Sequence, residues 1–97
     1  MEIGSLTNYE PFGQNIAWDA EIRTADYIEL PTDAVAVSLN RYYGSDRVYF
    51  YDANHSGMEP TVLTSENQQI MIPDGAKYMR FLYMTTTMVD TTITYYN

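Results

Sequence analysis

The stretch Ile72-Pro-Asp-Gly-Ala-Lys-Tyr-Met-Arg-Phe-Leu-Tyr-Met84 decides the fold class. Pro73-Asp74-Gly75 is a turn signature, because proline presets φ and glycine supplies a positive φ. The run Lys77 to Met84 then alternates, with Met79, Phe81 and Tyr83 on one face and Tyr78, Arg80 and Leu82 on the other. A period of two belongs to a strand. Phe81, Phe50 and either Met79 or Tyr83 are therefore assigned to the core, and Tyr78 and Arg80 share the opposite face.

The same pattern extends outward in short pieces. Upstream, Gln69 to Ile72 is a brief strand stopped by Pro73, and Asp46 to Tyr51 is rich in Tyr and Phe and ends at the polar cluster Asp52–Gly57. Ala34 to Leu39 places Val35, Val37 and Leu39 on one face. Ala20 to Thr24 and Tyr27 to Leu30 alternate, the second stopped by Pro31. Met1 to Gln14 reads as a short strand and a loop, and Thr91 to Tyr96 as a closing strand. No window of about 11 residues carries a helical period. About seven or eight short strands, spaced by roughly 8–12 residues, predict an all-β sandwich or barrel.

Composition agrees. The 97 residues fit one domain, 1–97, and include ten Tyr and eleven Thr, residues suited to a pleated, half-buried surface. Cysteine is absent, which removes disulfides, thiolate nucleophiles and Cys-ligated zinc together. The net charge is −8, from 13 acids against five bases. Without basic clusters, nucleic acid and anionic membrane surfaces are poor partners. No apolar run approaches a membrane span, and no charged and apolar leader opens the chain, so neither membrane insertion nor a secretory signal is expected.

Three segments, in order, carry a family resemblance: Glu21-Ile-Arg-Thr-Ala-Asp-Tyr-Ile-Glu-Leu-Pro31, Val48-Tyr-Phe-Tyr-Asp-Ala-Asn54 and Ile72-Pro-Asp-Gly-Ala-Lys-Tyr-Met-Arg-Phe81. Together they resemble the small jelly-roll, carbohydrate-binding-module-like domains appended to bacteriophage tail and baseplate proteins. Glu2-Ile-Gly4 resembles the entry of those domains, with Met1 where they carry Trp. Glu21 stands where the opening strand of the family has Arg. The resemblance implies an antiparallel β-sandwich of jelly-roll type, on a tail-associated module that binds host-surface saccharide or decorates the virion.

Catalytic parts are sparse. His55 is the only histidine, in a turn with no nucleophile elbow nearby. Carboxylate pairs such as Asp19/Glu21 and Glu59/Glu66 exist, but nothing distinguishes them from solubilising charge. Asp52-Ala-Asn54-His-Ser56-Gly57 imitates the first half of a calcium loop, yet Leu63 stands where the bidentate acid belongs. An Asx-type turn is the better reading. No cofactor is assigned, and a structural calcium held by other loops is left open.

The aromatics are the best lead, because a sugar ring offers an apolar face rimmed by hydroxyls. Trp18 lies in a polar stretch between Gln14 and Asp19. The doublet Tyr42-Tyr43, between Asn40-Arg41 and Gly44-Ser45-Asp46, cannot bury both rings. Tyr78 and Arg80 either line a concave face or form a cation–π pair with each other. Thr85–Thr87 and Thr91–Thr94 suggest a threonine-rich strand pair. Trp18, Tyr42, Tyr43, Tyr78 and Arg80 are accordingly the candidate carbohydrate-binding residues.

The expectation is a non-enzymatic module that adheres to host cell-surface polysaccharide and contacts other phage tail proteins. It would be made in the host cytoplasm and assembled into the virion, and a homo-oligomer is compatible with it. The alternative is a structural module of the virion whose aromatic surface packs against other subunits.

Overall fold

The computed structural model describes all 97 residues, as eleven strands and no helix: β1 (Glu2–Ile3), β2 (Ser5–Leu6), β3 (Asn15–Ile16), β4 (Ile22–Arg23), β5 (Ile28–Glu29), β6 (Ala36–Leu39), β7 (Arg47–Tyr51), β8 (Thr61–Val62), β9 (Ile70–Met71), β10 (Tyr78–Tyr83) and β11 (Ile93–Tyr96). Every pairing is antiparallel. A large sheet runs β1-β4-β10-β7-β8, with β5 also against β10, and a smaller sheet runs β11-β6-β9. From β5 onward the chain crosses repeatedly between the two sheets, with β7 and β8 the one consecutive pair within a sheet, as in an all-β sandwich. Each segment expected to be a strand contains one. The surplus is β3, β8 and a second piece at the N-terminus, each two residues long and too short to show a period.

The central strand is β10, paired over five positions with β7, from Tyr78↔Tyr51 to Leu82↔Arg47. Its Met79, Phe81 and Tyr83 face the small sheet and join Ile22, Leu30, Val37, Leu39, Val48, Phe50, Leu63 and Ile70 in the main core. Both Met79 and Tyr83 are buried there, so the two alternatives for the third core residue hold together. Val35 departs from the expected face. It is 49% exposed, because β6 starts at Ala36 and β9 reaches only Ala36 and Val37. No threonine ladder forms either. Thr85–Thr87 lies outside any strand, and β11 pairs with β6.

The other face of the large sheet is covered rather than open. Leu82, Tyr49 and Tyr51 pack with Leu6 in a second core, with Tyr27, Tyr78 and Met84 at its margin. The cover is the segment from β2 to β3, a two-stranded unit paired Ser5↔Ile16 and Leu6↔Asn15. The sheet holds it mainly by donating to its carbonyls. Tyr49 Oη reaches Leu6 O at 3.0 Å, Tyr51 Oη reaches Gly13 O at 2.8 Å, and Arg23 Nη1 reaches Ser5 O and Ile16 O at 2.9 Å each. Arg80 is consequently 4% exposed.

Beside β10 one line of the sheet is broken. Arg23 pairs with Leu82 and Ile28 with Met79. Four residues (24–27) therefore lie opposite two (80 and 81), a bulge with two surplus residues. Such irregularities bend a strand and re-aim its side chains.

Candidate functional site

The five expected residues fall in three places. Trp18 stands alone in the first. It follows β3, is 56% exposed, and walls a hollow of about 320 Å³ with Ser5, Leu6, Asn8, Ile16, Glu21 and Arg47. Glu21 precedes β4 and Arg47 begins β7, and both are largely buried beside the cover. Arg47 Nη2 lies 3.8 Å from Glu21 Oε1, too long for a charge-assisted hydrogen bond. Glu21 Oε1 and Arg47 Nε have no hydrogen-bond partner at all. Buried polar groups without partners are uncommon and costly. This hollow thus sets an exposed aromatic wall beside a buried acid and base that are poorly paired with each other.

The second place is the bulge. Arg80, with Gly13, Gln14, Asn15, Ala25, Asp26 and Tyr27, lines a hollow of about 360 Å³. Arg80 Nη2 donates to Thr24 O at 2.6 Å and Nη1 to Asn15 Oδ1 at 2.8 Å. Its guanidinium lies 5.4 Å from the centre of the Tyr27 ring, so the cation–π partner is Tyr27 and not Tyr78. Tyr27 stacks on His55, with centroids 4.0 Å apart and planes at 11°. Tyr78 meets both rings edge-on. Tyr78 is thus a partly buried flank of an aromatic cluster, and Arg80 a floor beneath the cover.

The third place is the loop after β6. Tyr42 and Tyr43 are each 39% exposed, and the Tyr43 ring packs edge-on against Tyr83 at 5.4 Å. The loop is anchored by Asp46, fully buried, whose carboxylate accepts from Tyr43 N at 2.7 Å and Met84 N at 2.8 Å. Burial pushes the Asp46 carboxyl above its ordinary range, the two N–H groups pull it back, and the Glu21 charge adds to the rise. Burial likewise pushes the phenols of Tyr49 and Tyr83 up to about 12, and those of Tyr51 and Tyr95 upward too.

The Asp52–Gly57 segment is the expected Asx turn. Asp52 Oδ1 accepts from Asn54 N at 2.8 Å and Ser56 N at 2.9 Å, and His55 takes a left-handed φ of 61°. No group of three or more His, Asp and Glu is gathered in a way that could hold a metal ion.

Reading from the sequence missed Glu21 and Arg47 beside Trp18, and Asn15, Asp26, Tyr27 and His55 around Arg80. One partial signal was available. Arg47, Tyr49 and Tyr51 alternate with Val48 and Phe50, so Arg47 belongs to the non-core face of β7. Its meeting with Glu21 requires the register of three strands.

No protein-family model, curated protein or solved structure matches the chain.

Proposed function

We propose that this chain is a non-enzymatic binding module of a phage tail or related surface appendage, adhering to host cell-surface saccharide. The observation that carries the reading is the Trp18 hollow. A sugar ring can lay its C–H face on the exposed indole while its hydroxyls meet the polar side chains that line the hollow beside it. Such a shallow site binds weakly alone, and many copies on one particle would raise its avidity.

The test is binding of the labelled domain, displayed multivalently, to bacterial cell-wall polysaccharides and simple glycans. Saturable binding that is lost in a folded Trp18→Ala variant supports the reading. Tyr42→Ala/Tyr43→Ala, run beside it, reports whether the third loop takes part. Absence of binding by the multivalent wild type overturns the reading. The assembly module then comes forward, favoured by Val35 and Met71, 49% and 69% exposed at the free side of the small sheet.

A further inference from the structure

The hollow over Arg80 stands on different residues from the Trp18 hollow. Two ion pairs involve buried or half-buried arginines, Arg23 with Glu2 and Arg47 with Glu21. Arg80 is more deeply buried than either and has no carboxylate within ion-pair distance. Its charge is met by neutral groups: the Thr24 carbonyl, the Thr24 hydroxyl at a long 3.4 Å, the Asn15 amide oxygen, the Tyr27 ring and the neighbouring Tyr51 hydroxyl. A buried cation without a counter-charge is unusual, because desolvation is normally offset by pairing.

The fold leaves room above it. The two surplus residues of the 24–27 bulge lift Asp26 and Tyr27 away from β10, and Gln14 and Asn15 of the cover form the other wall. Arg80 itself sits on the central strand, between Met79 and Phe81 of the main core, so the guanidinium is rigidly placed. The one ligand-like contact is Asn15 Oδ1 on Nη1, from an exposed side chain that can swing away. Asp26 Oδ1 already accepts from Tyr27 N at 2.9 Å, which leaves its second oxygen free to accept from a hydroxyl.

We infer that this hollow is a binding site for a carboxylate carried on a hydroxylated body, of the uronic acid type. The ligand carboxylate takes the place of the Asn15 amide oxygen on the Arg80 fork, and a ligand hydroxyl donates to Asp26. Planar carboxylate matches the guanidinium geometry, which a lysine or a single hydroxyl donor could not reproduce. The opposed charges of Arg80 and Asp26 reject ligands that offer only one of the two functions.

The experiment is a titration of the intact domain with glucuronate, glucose and inorganic phosphate, read from backbone amide shifts. Glucuronate is expected to move the amides of residues 13–15 and 26–27 saturably, with glucose and phosphate at least about tenfold weaker, the value of one charge-assisted hydrogen bond. Asn15→Asp places the protein's own carboxylate beside Nη1 and changes only an exposed side chain. It is expected to abolish the glucuronate response, whereas Trp18→Ala leaves it intact. An equal response to glucose or phosphate, survival in Asn15→Asp, or loss in folded Trp18→Ala overturns the assignment. Binding at Trp18 is read independently, from the multivalent glycan assay and its loss in Trp18→Ala, so the two readings fail separately.

Discussion

The Tyr51 hydroxyl donates to the Gly13 carbonyl at 2.8 Å from the space that a β-carbon on Gly13 would fill. This one contact ties the centre of the covering segment to β7, and Gly13 has a left-handed φ of 73°. Gly13→Ala therefore meets a collision and a backbone penalty together, and is expected to cost about 2–4 kcal/mol. Gly75, with φ of 84°, has nothing within 4 Å of the equivalent position. Gly75→Ala should lose only the backbone term, about 1–2 kcal/mol. Urea unfolding of the two variants checks the ranking, and equal losses would show that Tyr51 does not fix Gly13.

Arg23 holds both strands of the cover. Its Nη1 donates to Ser5 O in β2 and Ile16 O in β3, while Nε and Nη2 reach Glu2 Oε2 at 2.9 and 2.7 Å. Arg23→Met should cost about 2–4 kcal/mol, since two carbonyls lose a charged donor. The Glu2 side chain is 42% exposed, so its ion pair is screened, and Glu2→Gln should cost less than about 1 kcal/mol. Hydrogen exchange gives the sharper readout. In Arg23→Met the amides of residues 5–7 and 14–16 should lose protection while those of β10 keep it. Uniform loss would mean that cover and sheet open as one unit.

The contrast between strand β10 and its cover explains what could be read from the sequence. Met79, Phe81 and Tyr83 announce a strand because their apolar side chains face one core, and the Pro73-Asp74-Gly75 turn fixes where it starts. Ala76 N bonds Pro73 O at 3.2 Å and Gly75 takes the positive φ. The covering segment has no such pattern. It is held through its main-chain oxygens by Tyr49, Tyr51 and Arg23, and a carbonyl looks the same in every residue. Hence the alternation gives the correct face of β10 to Arg80, while the cover over that face leaves no pattern to read. Of the two readings of Arg80 the cation–π one is nearer, with Tyr27 as the ring in place of Tyr78. Trp18 is legible as exposed from its place between Gln14 and Asp19, whereas its meeting with Glu21 and Arg47 depends on long-range register.

Asp46 gives stability a dependence on acid pH. Burial raises its folded-state pKa above the ordinary 3.8, so the folded chain binds more protons than the unfolded one in the range just above that value. By linkage, the Asp46 contribution to stability is greatest below 3.8 and declines as pH rises through the raised value. Asp46→Asn cannot titrate, but its amide group turns a donor toward either Tyr43 N or Met84 N, and it should be destabilised by about 1–3 kcal/mol at low pH. The gap between wild type and variant should then narrow as pH rises. Denaturant unfolding at several pH values measures it, and a gap that widens with pH would show that the two N–H groups outweigh desolvation.

The buried phenols set the alkaline limit. Tyr49 and Tyr83 stay protonated in the folded state to about 12, against an ordinary value of 10.0, because burial opposes the phenolate. Between those values the folded chain holds protons that the unfolded chain has released, so stability falls as pH rises through that window. Tyr51 adds in the same direction. Absorbance titration should show the buried tyrosines ionising in a cooperative phase that coincides with loss of β-sheet circular dichroism. Tyr83→Phe removes one of these groups, together with the 2.8 Å hydroxyl contact to Thr91, and should move the alkaline transition upward while costing about 1 kcal/mol at neutral pH. An unchanged alkaline transition would mean that Tyr83 ionises as freely in the folded chain as in the unfolded one.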